Sequence, residues 1–256
     1  MLDSVYFKSY RAQLGFSRQQ DTKKFLDAKD ITPTIDYNYI DLLNSRLIDI
    51  FYRIDNVVCP KIKSNDIEFF CQKNILDSFE KIKQNDIIAK LNNQGRRPEK
   101  VYFSWLRGFV VTKYFLGAIS YIFDVDCDSI QFVGDDNFDN LHSFKRTPKA
   151  DLQLNYKNEV LRIEIQSGFQ DINDIKEHKV REAKNIKYEQ DISSVLIHFD
   201  LYNGQVAFIR LDDIENDSVH WVTRQQMEGQ TVFNINQNYF VWKLTQLPPK
   251  YYELEL

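Results

Sequence analysis

The chain is short of the residues that mark several common classes of protein. Its three cysteines, Cys59, Cys71 and Cys127, form no C-x-x-C pair and leave an odd thiol, which argues against a disulfide framework and a zinc site. Four scattered histidines say the same of metal clusters built on imidazole. The longest apolar run, Phe109 to Phe123, is interrupted by Lys113 and falls short of the roughly 20 residues that a membrane-spanning helix needs. The N-terminus, with Asp3, Lys8 and Arg11, lacks the apolar stretch of a signal peptide, so no membrane partner and a cytoplasmic location are expected. A net charge of −4 offers nucleic acid no global attraction, although a groove needs only local positive potential. No phosphate-binding P-loop, dinucleotide fingerprint or nucleophilic Ser or Cys triad is visible.

What is present suits a globular fold, since 256 residues can bury a sizeable core and 43% of them are hydrophobic. The eight glycines, beside abundant Lys, Asn, Asp, Ile and Phe, reflect an AT-rich coding sequence more than a function.

Residues 1–95 read as a helical region. Ser17 and Gln20 are spaced as a capping box for a helix from Arg18 to about Ala28, and Thr32-Pro33 ends that unit. Ile40, Leu43, Leu47, Ile50, Phe51 and Ile54 recur at helical spacing from Tyr37, and a third helix is expected after Ser64-Asn65-Asp66. This region is a support for the core, a dimerisation element or a DNA contact. The polar, basic stretch Asn92-Asn93-Gln94-Gly95-Arg96-Arg97-Pro98 marks the boundary to a second domain, residues 96–256. Arg96, Arg97, Lys100, Arg107 and Lys113 are interleaved with Tyr102, Phe103 and Trp105, either as phosphate contacts or as a solvated loop before a packed helix with snorkelling arginines. That helix spans Tyr102 to Phe123, with Gly108 and Gly117 expected to allow close packing.

Beyond it, Ser129 to Val133 reads as a short strand and Gly134 to Asn137 as a turn. Asp124, Asp126 and Asp128 imitate an EF-hand loop poorly, because Ser129 stands where glycine is needed, and a solvated turn is the better reading. Apolar and polar residues alternate on both sides of Lys157-Asn158-Glu159, which predicts a hairpin of Asp151 to Leu154 with Val160 to Gly168. Counting back from the turn brings Asp151 and Glu164 together on one face, as a divalent-metal site requires. Two such acids repel, so a pair flanked by Leu152, Leu154, Ile163 and Ile165 needs a cation. A helix from Ile172 to Ile186 follows, whose Lys176, Lys179, Arg181 and Lys184 form either a solvated face or a DNA contact. Ser194 to Phe199 and Val206 to Leu211 are the next strands, joined at Tyr202-Asn203-Gly204-Gln205, with further strands at Thr231 to Ile235 and Tyr239 to Leu244.

Asp151, Glu164 and Gln166, with twelve residues between the acids, resemble the PD-(D/E)xK nuclease superfamily, and within it the Glu-x-Gln variant found among type II restriction endonucleases. The chain departs from the pattern in that Lys149 and Ala150 separate Pro148 from Asp151, and Gln166 stands where lysine is usual. The resemblance covers roughly residues 101–211, where the order strand, strand, strand, helix, strand, strand is also that of the nuclease core. It implies an α/β fold (an α+β mixed sheet), a restriction-endonuclease-like core behind the N-terminal helices. It implies Asp151, Glu164 and Gln166 as catalytic residues, and Mg²⁺ held by Asp151, Glu164 and the backbone carbonyl of Ile165. Gln166 cannot act as a base, so its amide would orient the attacking water. Arg96, Arg97, Arg107, Lys149, Lys179 and Arg181 are the candidate DNA contacts. The implied activity is site-specific cleavage of double-stranded DNA by a homodimer, within a restriction-modification system that includes a cognate DNA methyltransferase. The alternatives are a nuclease-fold DNA-binding protein without catalysis, a repair or recombination nuclease, and an interaction protein in which Asp151 and Glu164 merely pair with Lys149 and Arg162.

Overall fold

Hydrophobic periodicity decides the helices that hold the core. In the computed structural model, which describes residues 4–28, 30–91, 96–133, 150–169, 173–225, 229–254 and 256, α1 (Ser4–Leu14) and α2 (Gln19–Leu26) contain no buried residue. The expected capping box at Ser17 is not formed. Arg18 is the residue before α2, it caps with no side-chain bond, and its guanidinium instead pairs with Asp21. α3 (Tyr37–Val57) follows its pattern, burying Ile40, Leu43, Leu47, Phe51 and Ile54, with Asp36 accepting a hydrogen bond from the Tyr39 amide at the N-terminus. The third helix is interrupted. α4 (Ile67–Cys71), capped by Asp66 on the Phe69 amide, passes through a π-helical turn at Gln72–Leu76 into α5 (Asp77–Gln84).

α6 (Pro98–Phe123) is the central helix, with Pro98 at its first position, where the missing N–H costs nothing. Its 26 residues are by length and hydropathy enough to cross a membrane, more than the shorter run apparent in the sequence. Here its apolar sides are spent internally, on α3 and on the sheet. The Tyr102 hydroxyl donates to Asn44 Oδ1 of α3 (2.9 Å), and the Phe115 ring stacks on Phe199 with centroids 4.2 Å apart. Gly108 and Gly117 are exposed, and a Cβ at either would meet nothing within 4 Å, so neither serves close packing.

The main sheet has six strands in the order β1 (Gln131–Phe132), β2 (Leu152–Tyr156), β3 (Glu159–Gly168), β5 (Ser193–Asp200), β6 (Gln205–Arg210) and β9 (Phe240–Lys243). All its pairings are antiparallel except β3 with β5, which are parallel and joined across α7 (Glu177–Gln190). β2 and β3 are closed by the two-residue turn Lys157-Asn158, both with positive φ, the form that suits the twist of a hairpin. β5 is buried along its whole length, as its apolar run requires: Val195, Ile197 and Phe199 face α6 while Leu196 faces the opposite layer.

That opposite layer departs from expectation. Residues 174–176, read as the start of the helix, form a strand, β4 (Asp174–Lys176), and α7 begins only at Glu177. β4 joins β8 (Gln230–Asn234) and β7 (Trp221–Arg224) in a separate three-stranded sheet, and β7 was not anticipated. With Val180 and Ala183 of α7, this small sheet covers Leu196, Ala207 and Ile209 in a second core. The first core runs without interruption from α3 through α6 into the main sheet, with residues on both sides of position 95. The expected turn at 134–137 lies outside the described residues, as do residues 92–95 of the expected boundary.

Because Gly117 lies exposed in mid-helix with room for a methyl group, Gly117→Ala should raise stability by about 0.5–1 kcal/mol through the unfolded chain's lost freedom. A denaturant midpoint that rises without a change in slope would show it.

Candidate active site

Two strands and one helix assemble a charged cluster on the α7 side of the main sheet. Along β3, Leu161 and Ile163 point into the core under α6, so the intervening Arg162, Glu164 and Gln166 point the other way. The hairpin register pairs Leu152 with Ile163, and the next step outward sets Asp151 opposite Glu164. The Asp151 backbone continues the sheet by accepting from the Val133 amide (3.1 Å), and its Oδ2 accepts from the Ile165 amide (2.7 Å). That bond turns the Asp151 carboxylate across the strand toward β3.

The parallel step from β3 to β5 lays α7 over this face, and Lys179 reaches down to the cluster. Its Nζ is 2.9 Å from Glu164 Oε1 and 3.0 Å from Oε2, with 24% of the lysine side chain and 14% of the glutamate side chain exposed. Burial pushes the Glu164 carboxyl above the ordinary carboxylate range, and the charge of Asp151 pushes it further. Lys179 opposes both without cancelling them. Burial also works against the charge on Lys179, yet Glu164, Asp151 and Glu182 together hold its ammonium above the usual lysine value. Among the described residues the cluster therefore gathers Asp151 and Glu164, with Glu182 nearby, around the ammonium of Lys179. A small cleft beside it is lined by Arg162, Glu164, Lys179, Glu182 and Ser194.

Gln166 is placed beside this cluster with one of its two amide N–H donors used. Its Nε2 donates to the backbone carbonyl of Asp174 (2.8 Å). The Asp174 carboxylate takes two bonds from Arg224, 2.8 and 3.0 Å, and one from Asn234 Nδ2. On the neighbouring strand His198, aligned with Gln166, bonds to Asn173 Oδ1 through Nε2 (2.7 Å), and burial lowers its pKa to about 4, so the ring is neutral.

The remaining candidates are distributed unevenly. Arg181 is exposed on α7, the helix that carries Lys179. Arg96 is exposed ahead of α6, on the other side of the sheet from Glu164. Arg97 is committed to Glu99 (3.3 Å) and lies over the Tyr39 ring at 4.9 Å. Arg107 is half-buried on α6, where burial lowers its pKa. Lys149 lies outside the described residues, as do Pro148, Lys145 and Arg146. Arg162 does not pair with Glu164, whose bonded cation is Lys179. Among the described residues its Nε is buried without a hydrogen-bond partner.

Lys179, a candidate DNA contact by sequence, stands in this cluster, paired with Glu164. The available signal was topological, because a helix that carries the chain from β3 to a parallel neighbour must lie across one face of that strand.

Removing Lys179 should expose the cost of the two acids. Glu164 holds its proton more tightly in the folded chain than in the unfolded one, so its ionisation costs stability above the unfolded carboxylate value and nothing well below it. Lys179→Met should therefore lose about 3 kcal/mol near pH 8 and much less near pH 4, with Glu164→Gln recovering most of the loss at the higher pH. Unfolding midpoints of the two variants at both pH values provide the measurement. No family model and no curated protein matches the chain, so the reading of this site rests on its geometry.

Proposed function

We propose that the protein is a Mg²⁺-dependent, sequence-specific double-stranded DNA endonuclease of the type II restriction kind. The observation that carries this reading is the meeting of Asp151 and Glu164 from paired strands with an ammonium, Lys179, delivered from the crossover helix. A carboxylate pair with a lysine beside it on a mixed sheet is the set that the PD-(D/E)xK resemblance calls for. The lysine arrives from α7, while Gln166 occupies its usual place on β3.

The donor set suits a hard divalent ion. Mg²⁺ is held through one or two carboxylates and keeps several waters. Asp151 and Glu164, with the carbonyl of Ile165 between Glu164 and Gln166 in the chain, are the oxygens that would hold it. When bound, the ion supplies Lewis acidity, making a water more acidic and relieving charge on the phosphate.

The reaction itself is the attack of water on phosphorus with loss of the sugar oxygen, a proton leaving the water and one reaching the leaving group. Lys179, bonded to Glu164 in the free protein, is the group placed to stabilise the phosphate charge as it grows. Gln166 contributes position rather than proton transfer, since an amide is no base, and one of its N–H donors holds it to the Asp174 carbonyl. Arg181, exposed on the same helix, would meet the DNA backbone beside the cleft. A homodimer would match the two-fold symmetry of a short palindromic site, and a methyltransferase encoded nearby would protect the host DNA.

Incubated with supercoiled plasmid and Mg²⁺, the protein should give discrete fragments. Asp151→Ala and Glu164→Ala should each reduce cleavage on the order of 10³-fold while retaining specific binding in a gel shift. Affinity for DNA should fall steeply with salt as counterions are released. Inertness with Mg²⁺ and Mn²⁺ across varied DNAs, with specific binding intact, would replace the nuclease by a DNA-binding protein on this fold.

A further inference from the structure

A buried donor that meets no acceptor in its own chain has given up hydration without return, and such a group calls for an explanation. The strands of the main sheet carry two arginines, and they differ in this respect. Arg210 of β6 buries its Nε, but the same guanidinium is held by Ser193 Oγ at 3.1 Å and by Asp212 at 3.0 Å. Arg162 of β3 also buries its Nε, and among the described residues its side chain makes neither a hydrogen bond nor an ion pair.

The surroundings of Arg162 define what would complete it. The side chain lies on the α7 side of the sheet, two residues from Glu164, and lines the cleft with Lys179, Glu182 and Ser194. Ser194 is aligned with Arg162 across the parallel pair; its amide donates to Asp212 (2.8 Å), while its hydroxyl has no bond among the described residues. The acids of the cleft already face an ammonium, since Glu164 is 2.9 Å from Lys179 and the charge of Glu182 acts on the same lysine. A guanidinium and a hydroxyl are donors, so the group that suits them brings acceptor oxygens and negative charge. The cleft, walled by Ala183, Ile186 and Leu211, has room for about one water-sized group, which admits a single oxygen and no base or sugar. We propose that Arg162 and Ser194 form a phosphate subsite, at which a non-bridging oxygen of a DNA phosphate enters the cleft and accepts from the guanidinium and the hydroxyl.

The subsite rests on the reading of this cleft as one that takes DNA, and it adds a residue that the resemblance does not supply. Two steps along a strand separate Arg162 from Glu164 by roughly 7 Å, so the phosphate on Arg162 lies beside the group that the acids address. Arg162 therefore holds substrate, and the chemistry stays with Asp151 and Glu164. An arginine suits this place better than a lysine, because its planar fork can engage two oxygens of one phosphate while an ammonium offers only a point charge.

Two measurements on the full-length protein test it. In the ¹H–¹⁵N spectrum of the arginine side chains, the Arg162 Nε–H signal, identified by its loss in Arg162→Lys, should shift with added inorganic phosphate at matched ionic strength, while that of Arg210, already held, stays. In a gel shift without divalent metal, Arg162→Gln should weaken binding of plasmid fragments about tenfold and lessen the slope of log affinity against log salt by about 0.9, the share of one phosphate, with thermal unfolding unchanged. Arg162→Lys should recover the slope and only part of the affinity. A signal indifferent to phosphate, or a slope unmoved in Arg162→Gln, overturns the subsite and leaves the guanidinium to solvent. Plasmid cleavage with the slope unmoved removes the subsite and keeps the nuclease; a moved signal and slope in a protein inert toward plasmid supports the subsite and removes the nuclease. Absence of DNA binding overturns both.

Discussion

The carboxylate of Glu164 is the constraint on which the rest of the site turns. It is largely buried, faces a second acid across the hairpin, and is balanced by one lysine from another element. A buried acid without a partner costs several kcal/mol, and two side by side cost more, so nothing in a support sheet calls for this arrangement. A cation stronger than an ammonium, admitted beside both acids, would relieve their repulsion, and that is the physical root of the nuclease proposal.

The fold makes that arrangement possible through one topological step. β3 and β5 run parallel, and the chain between them must cross a face of the sheet. α7 does so over Glu164, anchored by Val180 and Ala183 in the second core, and Lys179 follows from the position of that helix. The small sheet holds the near end of the same helix, since β4 leads directly into it, and Asp174 in β4 ties β7 and β8 together through Arg224 and Asn234. Asp174 also accepts from Gln166 through its backbone. One residue therefore connects the strand of the acids, the helix of the lysine and the sheet that braces both.

Those parts of the chain that obey a simple period were legible from sequence. α3 follows from apolar residues at helical spacing, the hairpin from alternation around Lys157 and Asn158, and β5 from an apolar run too short for a helix. The mixed sheet with a helical N-terminus was readable for the same reason. β4 and β7 were hidden because three- or four-residue strands carry no period, and the helical start at Glu177 because Lys176 before it offers no capping side chain. The π-helical turn after α4 is invisible because Ile75 remains buried through it, leaving the apolar pattern intact. Asp151 and Glu164 were legible as a facing pair because hairpin register is local. The Lys179 contact joins residues 15 apart through a crossover, which mixed charges on a helix cannot disclose.

The glutamine at 166 acquires a meaning from these connections that the motif alone withholds. A lysine there would place a second ammonium beside Lys179, next to Asp151 and Glu164. An amide in that position satisfies the carbonyl, which is on a buried residue and would otherwise go unpaired, and adds no charge. The cation is then supplied by α7, whose placement rests on the second core rather than on β3. Geometry at the acids and geometry at the lysine are thereby set by different elements, and Asp174 is the residue that keeps them in step.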